Sequence, residues 1–167
     1  MEIRDAEAGD AAAIADIYNH YIANTRISFE EKTLAPLGMA SRLKATQANG
    51  LPWLVAQADD RVIGYAYADK WRERHAYRYV VEVSVYLGPD HFRKGFGARL
   101  YEALFDQLKS LGYHAVLACI ALPNPASVAL HEKLGMQKCA HFNEVGYKFG
   151  EWVDVGYWQG VLKNDGP

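Results

Sequence analysis

Six consecutive residues, Arg93-Lys94-Gly95-Phe96-Gly97-Ala98, place two glycines between a strand-like run and a helix-like one. Glycines at such a junction let backbone amides approach a ligand that a side chain would block. At a helix N-terminus the unpaired amides and the helix dipole favour an anion, so a pyrophosphate is the natural occupant. Arg93 and Lys94 add complementary charge. The same residues could also form an ordinary solvated turn, and two glycines alone do not decide between these readings. A dinucleotide fingerprint would need a third glycine or alanine where Leu100 stands and an acidic ribose anchor where the next strand is apolar. A Walker-type loop would need Gly-Lys-Ser or Gly-Lys-Thr, and neither occurs.

The elements that must hold this turn alternate between two periods. A short strand near Ile3 precedes Asp10, which can cap a helix carrying Ile14, Ile17, Tyr18, Tyr21 and Ile22 on one face. A weaker helix spans about residues 35–47 and ends before Asn49-Gly50. Residues 53–57 and 62–68 flank Asp59-Asp60 and read as a hairpin, and a long strand follows over 79–87. Between them runs WRERHAYR, too rich in rings to be a mere solvated linker. The helix after the glycine turn, about residues 95–111, carries Leu100, Leu104, Leu108 and Leu111 at spacings of three and four, with Gly112 as its stop. The run AVLACIAL is apolar on both faces, as expected of an interior strand sandwiched between helices. A short helix over about 126–134 and two strands, near 137–145 and 153–162, complete a mixed α/β (α+β) order with a largely antiparallel sheet.

The 167 residues, half of them hydrophobic, match one domain with a sizeable core, expected over 1–167. A net charge of only −2 provides no global field for nucleic acid or an anionic membrane, so any anionic ligand must be held locally. Cys119 and Cys139 lie far apart, and no Cys or His spacing suggests a metal site. The opening MEIRDAEAGD lacks a signal-peptide pattern, and the longest apolar run, residues 115–122, is too short to span a bilayer. A reduced, cytoplasmic protein is the expectation.

Phe92-Arg93-Lys94-Gly95-Phe96-Gly97 resembles the phosphate-gripping motif of the general N-acetyltransferase (GNAT) superfamily: Gln or Arg, two residues, Gly, one residue, Gly or Ala. Phe92 departs from the polar first position. PWLVA, WRERHAYR, EVSVYL, LPNPASVALHEKLG and FGEWVDVGYWQ, in this order, resemble the phosphinothricin and methionine sulfoximine acetyltransferase subfamily over nearly the whole chain. The resemblance implies the GNAT fold, acetyl-CoA as cosubstrate without a metal, and a homodimer. It implies that backbone groups of Val85, Tyr86 and Leu87 pair with the pantetheine arm as an added strand does. Residues 93–98 would hold the pyrophosphate, and Asn124, opening an Asn-x-x-Ser pattern, the arm near the thioester; Ser127 and Lys133 are further cofactor candidates. Trp71, Arg72, Arg74 and Tyr77 would line the acceptor site, where arginine forks suit carboxylates and phosphinates. Phe29, with Ile27 nearby, would wall it. The subfamily often carries a glutamate where Lys32 stands, and Glu30 or Glu31 is expected to substitute by a small shift.

Acetylation needs a neutral amine, so a base is required. Glu82 shares one strand face with Ser84 and Tyr86, and the resemblance places the proposed base there. Salt pairing with an arginine is its competing role. A backbone N–H near Tyr86 or Leu87 is expected at the developing oxyanion. His131 matches the position from which many superfamily members protonate the leaving thiolate by tyrosine, and a hydrogen-bonded structural histidine is the alternative. Cys119 sits in an apolar strand without a base and reads as inert core. The aromatic strands with Trp152, Tyr157 and Trp158 serve either a dimer contact or the core. A peptide or aminoglycoside acetyltransferase and a non-catalytic acetyl-CoA sensor are the competing functions; the basic connector argues against a polycationic acceptor.

Overall fold

The computed structural model describes residues 1–162; the last five residues of the single-domain expectation lie outside the described residues. The chain runs β1 (Glu2–Asp5), α1 (Ala11–Asn24), α2 (Pro36–Ala48), β2 (Trp53–Ala58), β3 (Arg61–Lys70), β4 (Val80–Leu87), α3 (Phe96–Ser110), β5 (Ala115–Leu122), α4 (Pro125–Lys133), β6 (Gln137–Lys148) and β7 (Glu151–Val161). Seven strands form one sheet in the order β1-β2-β3-β4-β5-β7-β6. Every neighbouring pair is antiparallel except β4 and β5.

Period-two alternation divides the core between the two faces of this sheet. Leu54, Ala56, Ala66, Ala68, Val81, Val83, Val116, Ala118 and Ile120 join Leu100, Leu104 and Leu108 of α3 in one cluster. Trp53, Val55 and Tyr65 meet Ile14, Ile17 and Tyr21 of α1 and Met39 and Leu43 of α2 in the other. The three α3 leucines are wholly buried, worth roughly 1.5–3 kcal/mol each by area removed from water. Glu82, Ser84 and Tyr86 consequently emerge on the α1/α2 face.

Both hairpin turns use positive φ at two successive residues, Asp59-Asp60 (48° and 58°) and Phe149-Gly150 (53° and 76°), the backbone that matches strand twist in a two-residue loop. Two expectations need correction. Asp10 starts α1 but does not cap it with its side chain: its carboxylate is drawn to the Arg4 guanidinium (2.8 and 2.9 Å) and the Glu7 N–H (2.8 Å), which hold its pKa below the usual value. Strand β5 is interior in the sheet but not covered on both sides. Val116, Ala118 and Ile120 are buried under the helices, whereas Cys119 on the opposite face is exposed.

Candidate active site

Strands β4 and β5 pair only over residues 80–82 and 115–117, although β4 continues to Leu87 and β5 to Leu122. Beyond that point they part and leave an open strand edge. The Gly88 N–H donates to the Ile63 carbonyl, which sets the alternation: Tyr86, Ser84 and Glu82 bond into β3, while Val83, Val85 and Leu87 aim their backbone groups at the opening. The Val83 carbonyl lies 3.4 Å from the Tyr101 hydroxyl. The Leu87 carbonyl accepts from the Tyr21 hydroxyl at 2.7 Å, and the Leu87 N–H donates to the same oxygen at 3.3 Å. Val85 is thus the residue whose edge is free for an added strand. The expectation that Tyr86 offers its amide there is corrected, because that amide belongs to the β3 ladder; Leu87 offers one that Tyr21 already engages.

The glycine turn lies beside this edge. Gly95 is the N-cap of α3 at φ 78°, and Arg93 also has positive φ, 60°. The first intrahelical bond runs from the Arg99 N–H to the Gly95 carbonyl, so the amides of Phe96, Gly97 and Ala98 have no helical partner. A Cβ on Gly95 would meet nothing within 4 Å, whereas one on Gly97 would come within 3.2 Å of Leu130 on α4. Gly95 therefore serves backbone shape and open approach; Gly97 serves helix packing. With Arg93 and Lys94 exposed alongside, these groups fit a pyrophosphate.

Asn124 caps α4 through its Oδ1, which accepts from the Ser127 N–H at 3.2 Å. Its amide NH₂ remains for another acceptor. Lys133, in the last turn of α4, is exposed. His131 is buried, and both ring nitrogens are taken. Nδ1 lies 2.7 Å from the Ser127 carbonyl, which can only accept, so Nδ1 carries the proton and Nε2 accepts from the Tyr101 hydroxyl at 3.1 Å. Burial lowers its pKa below 6.5 and keeps the ring neutral. The expectation of a proton donor at His131 is corrected on this geometry: the side chain is a closed link between α3 and α4.

Glu82 is half-buried, and burial raises its pKa, with Asp69 adding to the rise and Arg72 opposing it. Ser84, on the same face, hydrogen-bonds with Tyr67. The connector forms a cleft of about 510 Å³ with Trp71, Arg72, Arg74 and Tyr77 in its lining. Trp71 meets Tyr77 edge-on at 5.0 Å, and the Arg72 guanidinium lies 5.2 Å from the Trp71 ring centre. Phe29 is not brought to this cleft. It packs on Gly146 of β6, where any side chain would overlap its ring, and its loop is tied down by Lys148, whose Nζ donates to the carbonyls of Ile22 (2.8 Å) and Ser28 (2.6 Å). Glu30 is not available as the missing loop carboxylate, because Arg42 (2.6 Å) and the Tyr18 hydroxyl (3.0 Å) hold it.

Cys119 opposes Tyr157 across β5 and β7, on the face that bears Glu82. Its expected packing role is corrected, but its thiol pKa is still raised, chiefly by desolvation, so it is a poor nucleophile. Of the aromatic strand residues, Trp158 is buried and donates to Glu132 at 3.3 Å, whereas Trp152 is 61% exposed. Among the described residues no three His, Cys, Asp or Glu side chains gather as metal ligands, and no helix is long and apolar enough to cross a membrane. Asp69 and Tyr21 were missed by the sequence reading. Tyr21 was visible only as a core-face residue, and the pairing of Asp69 with Glu82 depends on a register that the nine-residue connector conceals.

A sheet that parts between two parallel strands, with a glycine turn and a helix N-terminus beside the gap, defines an acyl-carrier site of the acetyltransferase type. The acetyltransferase (GNAT) domain family matches residues 3–156, and the chain belongs to that family. It is 42% identical over 159 residues to the phosphinothricin N-acetyltransferase of Streptomyces viridochromogenes, covering 95% of this chain and 86% of that protein. It is 38% identical to the L-methionine sulfoximine/L-methionine sulfone acetyltransferase of Salmonella typhimurium, covering 95% and 93%. Among solved structures, the Salmonella typhimurium acetyltransferase yncA, with its cofactor acetyl-CoA, superposes with a TM-score of 0.96 at 37% identity, covering 100% of this chain and 96% of that one. The phosphinothricin acetyltransferase of Sinorhizobium meliloti, in complex with acetyl-CoA, gives 0.93 at 37% identity, covering 96% and 88%.

Proposed function

We propose that this protein transfers an acetyl group from acetyl-CoA directly to the amino group of a small amino-acid-like acceptor of the phosphinothricin, methionine sulfoximine or methionine sulfone type, with Glu82 as general base. The observation that carries this is the placement of Glu82: half-buried, raised in pKa, on the strand that parts from β5, and near Arg72 of the connector cleft. When bound, acetyl-CoA supplies the thioester. The free edge of Val85 and the amides of residues 96–98 hold its arm and pyrophosphate, and Arg72 and Arg74 present guanidinium forks to the acceptor's anionic groups. Glu82 takes a proton from the acceptor ammonium through a bridging water, which frees the lone pair for attack.

The exposed apolar side chains of β6, β7 and their turn, Phe142, Val145, Tyr147, Phe149 and Trp152, support a homodimer through this end of the sheet. A detoxifying role in the cytoplasm is part of the same proposal. The test mixes purified protein and acetyl-CoA with phosphinothricin, methionine sulfoximine, methionine sulfone, ordinary amino acids and an aminoglycoside, and follows thiol release. Release confined to the amino-acid analogues and lost in Glu82→Gln supports the reading. Silence across the panel, with acetyl-CoA binding seen by calorimetry, overturns it.

A further inference from the structure

Asp69 is the Cα partner of Glu82 in the β3–β4 ladder, so both carboxylates rise from the same face with Cβ atoms about 5 Å apart. Like charges directly opposite one another disfavour the sheet. The two differ in access to water: Glu82 is half-buried and Asp69 exposed. Asp69 is held in place, since its Oδ1 accepts from the hydroxyl of buried Thr46 on α2 at 3.2 Å. It lies on the rim of a second cavity, about 220 Å³, between α2 and the sheet and walled by Trp53, Tyr65 and Tyr67. Trp53 is only 3% exposed, and its Nε1–H meets no acceptor in the protein. A buried donor is ordinarily satisfied by water where the protein offers no acceptor; the cavity also presents Arg42, Thr46 and Asp69, and its volume suffices for several molecules at about 30 Å³ each.

We propose that Asp69 is the proton-release partner of Glu82, passing the proton removed from the acceptor amine to the water of the cavity under α2. The proposal rests on the reading of Glu82 as base. The acceptor ammonium gives one proton to Glu82; the lone pair then forms the C–N bond as the C–S bond breaks, and the second N–H proton ends on the coenzyme A sulfur. The proton on Glu82 moves through water to Asp69 and then to bulk solvent, so the carboxylates finish as they began. The groups that act on Glu82 are Asp69 and Tyr67 of β3, Arg72 of the connector, Cys119 of β5, Tyr157 of β7 and Tyr101 of α3. Those on Asp69 are Thr46 and Arg42 of α2, besides Tyr67. Partial desolvation under α2 raises the pKa of Asp69, against Thr46 and Arg42.

The test compares Asp69→Asn and Asp69→Glu with the unsubstituted protein in two measurements: kcat against pH at saturating acceptor, and titration of the Glu82 carboxyl by ¹³C NMR without substrate. Loss of the like charge lowers the Glu82 midpoint in Asp69→Asn by on the order of half a pH unit, in both measurements. Plateau kcat falls several-fold and recovers with added formate, and Asp69→Glu retains the unsubstituted profile. Unshifted midpoints, or a uniform loss of kcat at every pH that formate does not relieve, overturn the proposal. The base reading fails separately: if Glu82→Gln retains full activity while Asp69→Asn still moves the Glu82 titration, the pair is coupled but is not the route of the proton, which also overturns the proposal.

Discussion

The two faces of the sheet carry their titratable side chains in opposite conditions. Under α3 and α4, His131, Tyr101 and Ser127 form a closed set in which each ring nitrogen has its partner. Under α1 and α2, Glu82 and Asp69 face each other as like charges, Asp69 on the rim of a cavity, with only partial compensation from Arg72, Thr46 and Arg42. Closed partners make a group structural; open ones make it available for chemistry. In the sequence Glu82 is the favoured base and His131 has both a catalytic and a structural reading, and this difference in partners decides the second.

The hardest test of the comparison is Glu82→Gln. It should lower kcat by about 10²–10⁴ with the protein still folded, as steady-state rates and circular dichroism would report, and a loss below about tenfold would break the assignment. His131→Phe should do the reverse. Losing the imidazole leaves the Tyr101 hydroxyl only the 3.4 Å contact with the Val83 carbonyl and should cost about 1 kcal/mol in denaturant unfolding, while kcat stays within about threefold. Because the folded pKa of His131 lies below its unfolded value near 6.5, its contribution to stability is present above that value and lost as pH falls from there through the folded value. Unfolding measured between pH 7 and 5 should therefore show a slope that His131→Phe flattens.

Gly95→Val tests the other half of the site. A β-branched side chain at φ 78° strains the turn and covers the open amides, so the KM for acetyl-CoA should rise about tenfold with the acceptor KM nearly unchanged. Smallest is Arg72→Lys, which keeps the charge and loses the planar fork: acceptor KM should rise a few-fold in the same assay, with acetyl-CoA binding unaffected.

The parts of the molecule that rest on periodicity were readable in advance. Leu100, Leu104 and Leu108 announce α3, and Asp59-Asp60 announces the β2–β3 hairpin, because local spacing and turn chemistry determine both. The glycine turn was readable as an anion site for the same local reason. Register and side-chain closure were not. Asp69 meets Glu82 only through a ladder closed by the connector, Tyr21 reaches Leu87 from 66 residues away, and the hydrogen bonds that occupy His131 come from α3 and from the carbonyl of Ser127. Cys119 shows the limit from the other side: an apolar run predicted burial, yet the strand's second face lines an opening rather than a helix.

Lys148 lies under the loop that bears Phe29, 2% exposed and committed to two carbonyl oxygens. An ammonium in that setting has its protons directed at fixed acceptors and no lone pair facing outward. Treatment of the folded protein with acetic anhydride should label its surface lysines and spare this one, so that a catalyst of amine acetylation carries beneath its Phe29 loop an amine shielded from the very reaction it performs on others.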